Sequence, residues 1–84
     1  MNIKTITQIA KEINTTAAYM YMVFSSVSGE LVKAEDVSKL SGLNVRSVHR
    51  AAKELREAGY ITVEQQRDKE RGYVIGSIYK IKGE

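Results

Sequence analysis

The stretch AEDVSKLSGLNVRSVHRAAKEL, from Ala34 to Leu55, reads as two helices joined by a sharp turn. Ala34 to Leu40 is the first helix, with Val37 and Leu40 turned inward. Ser41-Gly42-Leu43 is the turn, where Gly42 can take a positive φ without a Cβ penalty. Asn44 is a good N-cap for the helix that follows, Val45 to Ala58. Val48, Ala51, Ala52 and Leu55 share one side of that helix. Gly59 ends it.

Beyond Gly59 the apolar period changes from 3.6 to 2. Ile61 and Val63 alternate with Thr62 and Glu64 in one strand, and residues 73–81 form a second. Gln66 to Gly72 is the hairpin loop between them. Tyr79 and Ile81 share a face of the second strand, as Ile61 and Val63 do on the first, and all four are assigned to the core. Upstream, Glu30-Leu31-Val32 is long enough only for a connector or a single-bridge strand. Before it, apolar residues step by three and four from Ile3 to Val27, which permits one long helix. Asn14-Thr15-Thr16 interrupts that run with cap-forming residues, so two helices are expected, about 4–13 and 15–27. In the second of these, Ala17, Met20, Phe24 and Val27 face one way, and Ala18, Tyr21 and Met22 the other. A helix apolar nearly all round must be covered, here by the N-terminal helix or by a second subunit.

The Ala34–Leu55 stretch resembles the helix-turn-helix of bacterial and phage DNA-binding proteins. Its Val37, Ser38, Gly42 and Val48 match that pattern of apolar, small, glycine and apolar positions. Ser38 is small where the second helix crosses, and Val37, Leu43, Val48 and Ala51 seal the small core between the helices. Leu-Arg-Glu-Ala-Gly-Tyr-Ile-Thr-Val at 55–63 resembles the passage into the first wing strand of winged-helix domains. Ile-Tyr-Lys-Ile at 78–81 looks like their last strand. The likeness covers about residues 15–82. Two features depart from it. Lys33 stands where a Ser or Thr cap is usual, and Asp68 and Glu70 sit among the bases of the wing. The resemblance implies a mainly α fold with a C-terminal β-hairpin (α+β), a three-helix winged helix-turn-helix carrying an extra N-terminal helix. The expected single domain spans 1–84, with an extension helix at 1–14, a three-helix core at 15–58 and the wing at 60–82.

Composition narrows the function classes. Eighty-four residues, 43% hydrophobic and 27% charged, suit one small globular domain with room for one core. The chain has no cysteine and one histidine, which excludes disulfides, Cys-ligated metals and His clusters, so no metal and no cofactor is expected. The longest apolar run, Ala17 to Phe24, has eight residues, and no signal-peptide pattern opens the chain. No membrane association and a cytoplasmic location are the expectations. Net charge is +3, and residues 44–83 hold nine basic groups against five acidic ones. Residues 1–43 balance at four of each, so the excess belongs to the C-terminal half.

Turning 100° per residue from Val48 puts Arg46, Arg50, Lys53 and Glu57 opposite the core, flanked by Ser47 and His49. Arg reads guanine bidentately, and Ser and His contact bases or phosphate. Asn44 leaves open N–H groups at the helix start. Arg67, Lys69 and Arg71 of the wing can touch phosphates or the minor groove. The plain alternative is that both basic sets are solvated surface. The expected function is sequence-specific binding of double-stranded DNA, as a small transcriptional regulator or a replication-associated factor of a bacterium, phage or plasmid. The rival is a winged-helix module that binds protein and not DNA. No catalytic constellation is visible. A homodimer through the N-terminal helices is expected, because Ile3, Ile6, Ile9, Ile13, Ala18, Tyr21 and Met22 exceed what so small a core can hide.

Overall fold

Asn14 decides how the N-terminal third folds. In the computed structural model, which describes residues 2–83, the run from Ile3 to Val27 is two helices, α1 (Ile3–Glu12) and α2 (Thr15–Ser26). Met1 and Glu84, the ends of the expected domain, lie outside the described residues. Asn14 is extended, and its side-chain oxygen accepts from the Ala17 N–H at 2.7 Å, satisfying a donor that the new helix leaves open. Asn2 caps α1 in the same way, accepting from the Lys4 N–H at 2.9 Å.

The chain then forms β1 (Leu31–Val32), α3 (Ala34–Ser41), α4 (Val45–Glu57), β2 (Ile61–Arg67) and β3 (Val74–Ile81). The result is an α+β fold of four helices and a three-stranded antiparallel sheet, ordered β1-β3-β2. The segment expected as a connector or single bridge is a short strand, with Leu31 opposite Ile78 and Val32 opposite Ser77. β1 meets β3 so closely that a Cβ on Gly76 would sit 3.0 Å from the Val32 carbonyl oxygen and 2.9 Å from the end of Leu31. β2 and β3 pair from Ile61↔Ile81 to Arg67↔Val74, with a bulge at Gln66/Arg67. The expected loop of 66–72 is therefore shorter at its start. Gln66 and Arg67 belong to β2, and Tyr73 belongs to the loop.

One core joins these layers. Phe24, Ile9, Met20, Leu55, Ile61, Val37 and Val48 are fully buried. Phe24 stacks on Tyr79 with ring centroids 4.4 Å apart, tying α2 to the sheet. The second apolar side of α2 is covered from within the chain. Ile9 of α1 is buried, Ile6, Ala10 and Ile13 pack against the core, and Ala18 and Tyr21 are buried. Tyr60, just after α4, meets Tyr21 edge to face and donates its hydroxyl to Glu12 Oε2 at 2.6 Å. That contact holds the end of α1 against the start of the sheet.

The expectation for Leu40 is not met: it is 57% exposed. The buried line of α3 steps by four, from Val37 to Ser41, rather than by three. The Tyr19 hydroxyl donates to the Ser41 carbonyl at 2.7 Å, so α2 holds the end of α3 on the Ser41 side. Leu40 is thereby turned to solvent. α3 starts at Ala34 without a hydroxyl cap. The Asp36 carboxylate accepts from the Lys33 N–H at 3.2 Å instead, and Glu35 and Asp36 suit the positive end of the helix.

Candidate nucleic-acid interface

The turn between α3 and α4 is built from short side chains. Gly42 has φ +79°, the left-handed conformation that ends a helix. The Ser38 hydroxyl donates to the Leu43 carbonyl. The Leu43 N–H donates to the Ser41 hydroxyl at 3.1 Å. Ser38 thus supplies a hydroxyl to the turn. Asn44 caps α4, its oxygen accepting from the Ser47 N–H at 2.8 Å.

With Val48, Ala51, Ala52 and Leu55 buried, the other side of α4 faces out. Arg46, His49, Arg50 and Lys53 are exposed, and Ser47 is half-buried. The flanks differ. Ser47 and Arg50 line a cleft with Asn14 and Thr16 at the start of α2, where Asn14 Nδ2 donates to Glu54 Oε2 at 3.4 Å. His49, Lys53 and Arg56 lie on the other flank, across a cleft from Val63 and Gln65 of β2 and Ser77 and Tyr79 of β3. Gln65 pairs with Ser77 and Val63 with Tyr79 in the β2–β3 register. The sheet face that begins as core therefore continues outward as a polar shelf beside α4.

The hairpin divides its three expected contacts. Arg67 is engaged within the loop, Nη1 donating to the Gly72 carbonyl at 3.0 Å and Nη2 approaching Gln65 Oε1 at 3.5 Å. Asp68 shapes the tip by accepting from the Glu70 and Arg71 N–H groups at 2.9 and 2.8 Å. Lys69 and Arg71 are exposed there. Asp68 thus spends its carboxylate on the loop backbone. Tyr73, Val74 and Ile75 follow, all exposed apolar residues.

Sequence reasoning did not assign Asn14, Thr16, Arg56, Gln65 or Ser77 to this surface. Two signals were available. Arg56 is seven residues from His49, two helical turns on, so both share one flank. Gln65 and Ser77 continue the period-2 faces of Val63 and Tyr79. Among the described residues there is no group of three or more His, Cys, Asp or Glu able to hold a metal ion, and no helix long and apolar enough to cross a membrane. Compared with known proteins, the chain matches no family model and no curated sequence.

Proposed function

We propose that the protein binds double-stranded DNA sequence-specifically, with α2, α3 and α4 as the three helices of a winged helix-turn-helix, β2–β3 as its wing and α1 as an extra helix. The observation that carries this reading is the outer face of α4. Arg46, Arg50 and Lys53 stand exposed on a helix whose opposite side is wholly buried, with a capped N-terminus beside them. Such a helix offers base-reading side chains near its start and open N–H groups for a phosphate. Phosphate neutralisation supplies affinity, and a few side chains of α4 supply specificity. The role is that of a small regulator of transcription or a replication-associated factor in the cytoplasm, without catalysis, metal or cofactor. Selection of bound sites from random duplex DNA tests it. A defined preferred sequence is expected; recovery of no preferred sequence contradicts it.

The rival, a protein-binding module, has one observation in its favour: the exposed apolar run Tyr73, Val74 and Ile75 on the hairpin. Retention on heparin that weakens with salt separates the two, since an apolar hairpin surface does not bind a polyanion. Homodimerisation through α1 is a separate proposal. Of the seven apolar residues that motivated it, Ile3 and Met22 remain exposed, and the rest are buried or packed on the chain's own core. Sedimentation equilibrium at micromolar concentration decides it by mass.

A further inference from the structure

We propose that the cleft between α4 and the sheet, lined by His49, Lys53, Arg56, Gln65 and Ser77, seats a backbone phosphate of bound DNA, with His49 taking up a proton as the phosphate enters. The inference rests on the DNA-binding reading and deepens it. It assigns a contact to the sheet face and a pH dependence to the interface.

Three observations carry it. First, the cleft is polar where it opens. His49, Lys53 and Arg56 line one side, and the cross-strand pair Gln65 and Ser77 lines the other. Two cations and an imidazole facing an amide and a hydroxyl are the donor chemistry that holds a phosphate oxygen. Second, the cleft adjoins the outer face of α4, because Lys53 belongs to both. A strand backbone passing along that face reaches the cleft without leaving the helix. Third, His49 is the only histidine in the chain, so an imidazole titration in binding has one source.

The charged neighbours decide where the phosphate sits. His49, Gln65 and Ser77 also line a second groove with Lys33 and Glu35, at the start of α3, and with Val74, Ile75 and Gly76. Glu35 repels phosphate at that end and offsets Lys33. Lys53 and Arg56 of α4 stand at the other end with no carboxylate lining the cleft. The sheet contributes one titratable group, Tyr79, whose hydroxyl burial pushes up from the ordinary phenol range, so it stays uncharged across the histidine range. A phosphate at the Lys53–Arg56 end therefore meets His49 with its charge compensated on the far side.

The sign follows from linkage. A phosphate beside the imidazole favours the protonated form, so proton uptake and DNA binding strengthen each other. The added affinity is present at acid pH and is lost as pH rises. The test is fluorescence anisotropy with a 20-base-pair duplex of random sequence, between pH 5.5 and 8.0 at fixed ionic strength. Wild-type binding should be roughly three- to tenfold tighter at the acid end, where the protonated imidazole adds one charge contact. His49→Gln should show no gain on acidification. Its salt slope should not change with pH, whereas the wild-type slope should rise by up to about 0.9 from pH 8.0 to pH 5.5. Gln65→Ala and Ser77→Ala should weaken binding at both ends of the range. All three side chains lie outside the buried core, and thermal melts should confirm folding. A flat wild-type profile, or a His49→Gln profile as steep as wild type, overturns the cleft while leaving DNA binding intact. Failure to bind duplex at any pH overturns the DNA-binding reading, and the cleft with it.

Discussion

Arg50 and Gly76 illustrate two kinds of residue constraint, one chemical and one steric. Arg50 is exposed on α4 near its N-terminal half, so its removal costs little fold stability and acts on recognition. Arg50→Ala should weaken binding to a selected site by about 1–3 kcal/mol and relax preference at one base position. Site selection repeated with the variant measures both. Gly76 lies where β1 crosses β3, and an added methyl meets the Val32 carbonyl at 3.0 Å. The end of Leu31 can swing aside, being half exposed, but the carbonyl belongs to the β1 backbone. Gly76→Ala should therefore lower unfolding free energy by about 1 kcal/mol, read from urea melts, with β1 amides losing exchange protection first. At this scale the sequence was only partly legible. Val37, Ser38, Gly42, Asn44 and Val48 take the positions expected of them, because each is dictated by local geometry. Leu40 does not, because steps of three and four residues lie about 60° and 40° to either side of Val37 on a helix, both within reach of one face. Only the Tyr19–Ser41 contact, 22 residues apart in sequence, separates the two.

Among the elements, α1 and the hairpin are those whose attachment sequence alone could not settle. α1 is held by its apolar face and by the Tyr60 hydroxyl on Glu12. The hydrogen bond from Tyr60, then that from Gln8, lowers the Glu12 carboxyl from its ordinary range. The same carboxylate is the largest cause raising the Tyr60 hydroxyl. A lowered carboxyl stabilises the fold above its unfolded value, and that stabilisation is lost as pH falls through the folded one. A raised phenol acts in the opposite sense, its contribution lost as pH rises through its folded value. Tyr60→Phe should thus reduce α1 protection at neutral pH and flatten the loss of stability on acidification, measured by melts from pH 7 to 3. In the hairpin, Arg67 is tied to Gly72 and Gln65, whereas Lys69 and Arg71 are not so used in the loop bonds described above. Replacing Lys69 or Arg71 by Ala should lower the log–log salt slope of DNA binding by about 0.9 each. Arg67→Ala should change hairpin order more than the slope. Periodicity found all four helices and both long strands, since each carries its own repeat. It could not find the partner of β1, a pairing that spans 47 residues from Leu31 to Ile78.

For the whole molecule, α4 carries Arg46, Arg50, Lys53 and Arg56 exposed above a core to which all four helices and the sheet contribute. Phe24 on Tyr79, Ile9 in the core and Tyr60 on Glu12 tie α1, α2 and the sheet together, and Val37 of α3 with Val48 and Leu55 of α4 join the same buried core. The charge excess of residues 44–83 lies in the half of the chain that forms α4 and the hairpin, the elements proposed to meet a polyanion. What charge counting missed is how the cations divide: Arg50 to the α2 flank, Lys53 and Arg56 to the sheet flank, Arg67 into its own loop. Those assignments depend on what packs beside α4, which a helical projection does not contain. The most direct measurement is the affinity of a selected duplex against a scrambled one, for wild type and for the variant with Arg46, Arg50 and Lys53 all replaced by Ala. Wild type should prefer the selected duplex, and the folded variant should lose both that preference and most of its affinity. A folded variant that still discriminates between the two duplexes, as strongly as wild type, would contradict the assignment of α4 as the reading helix.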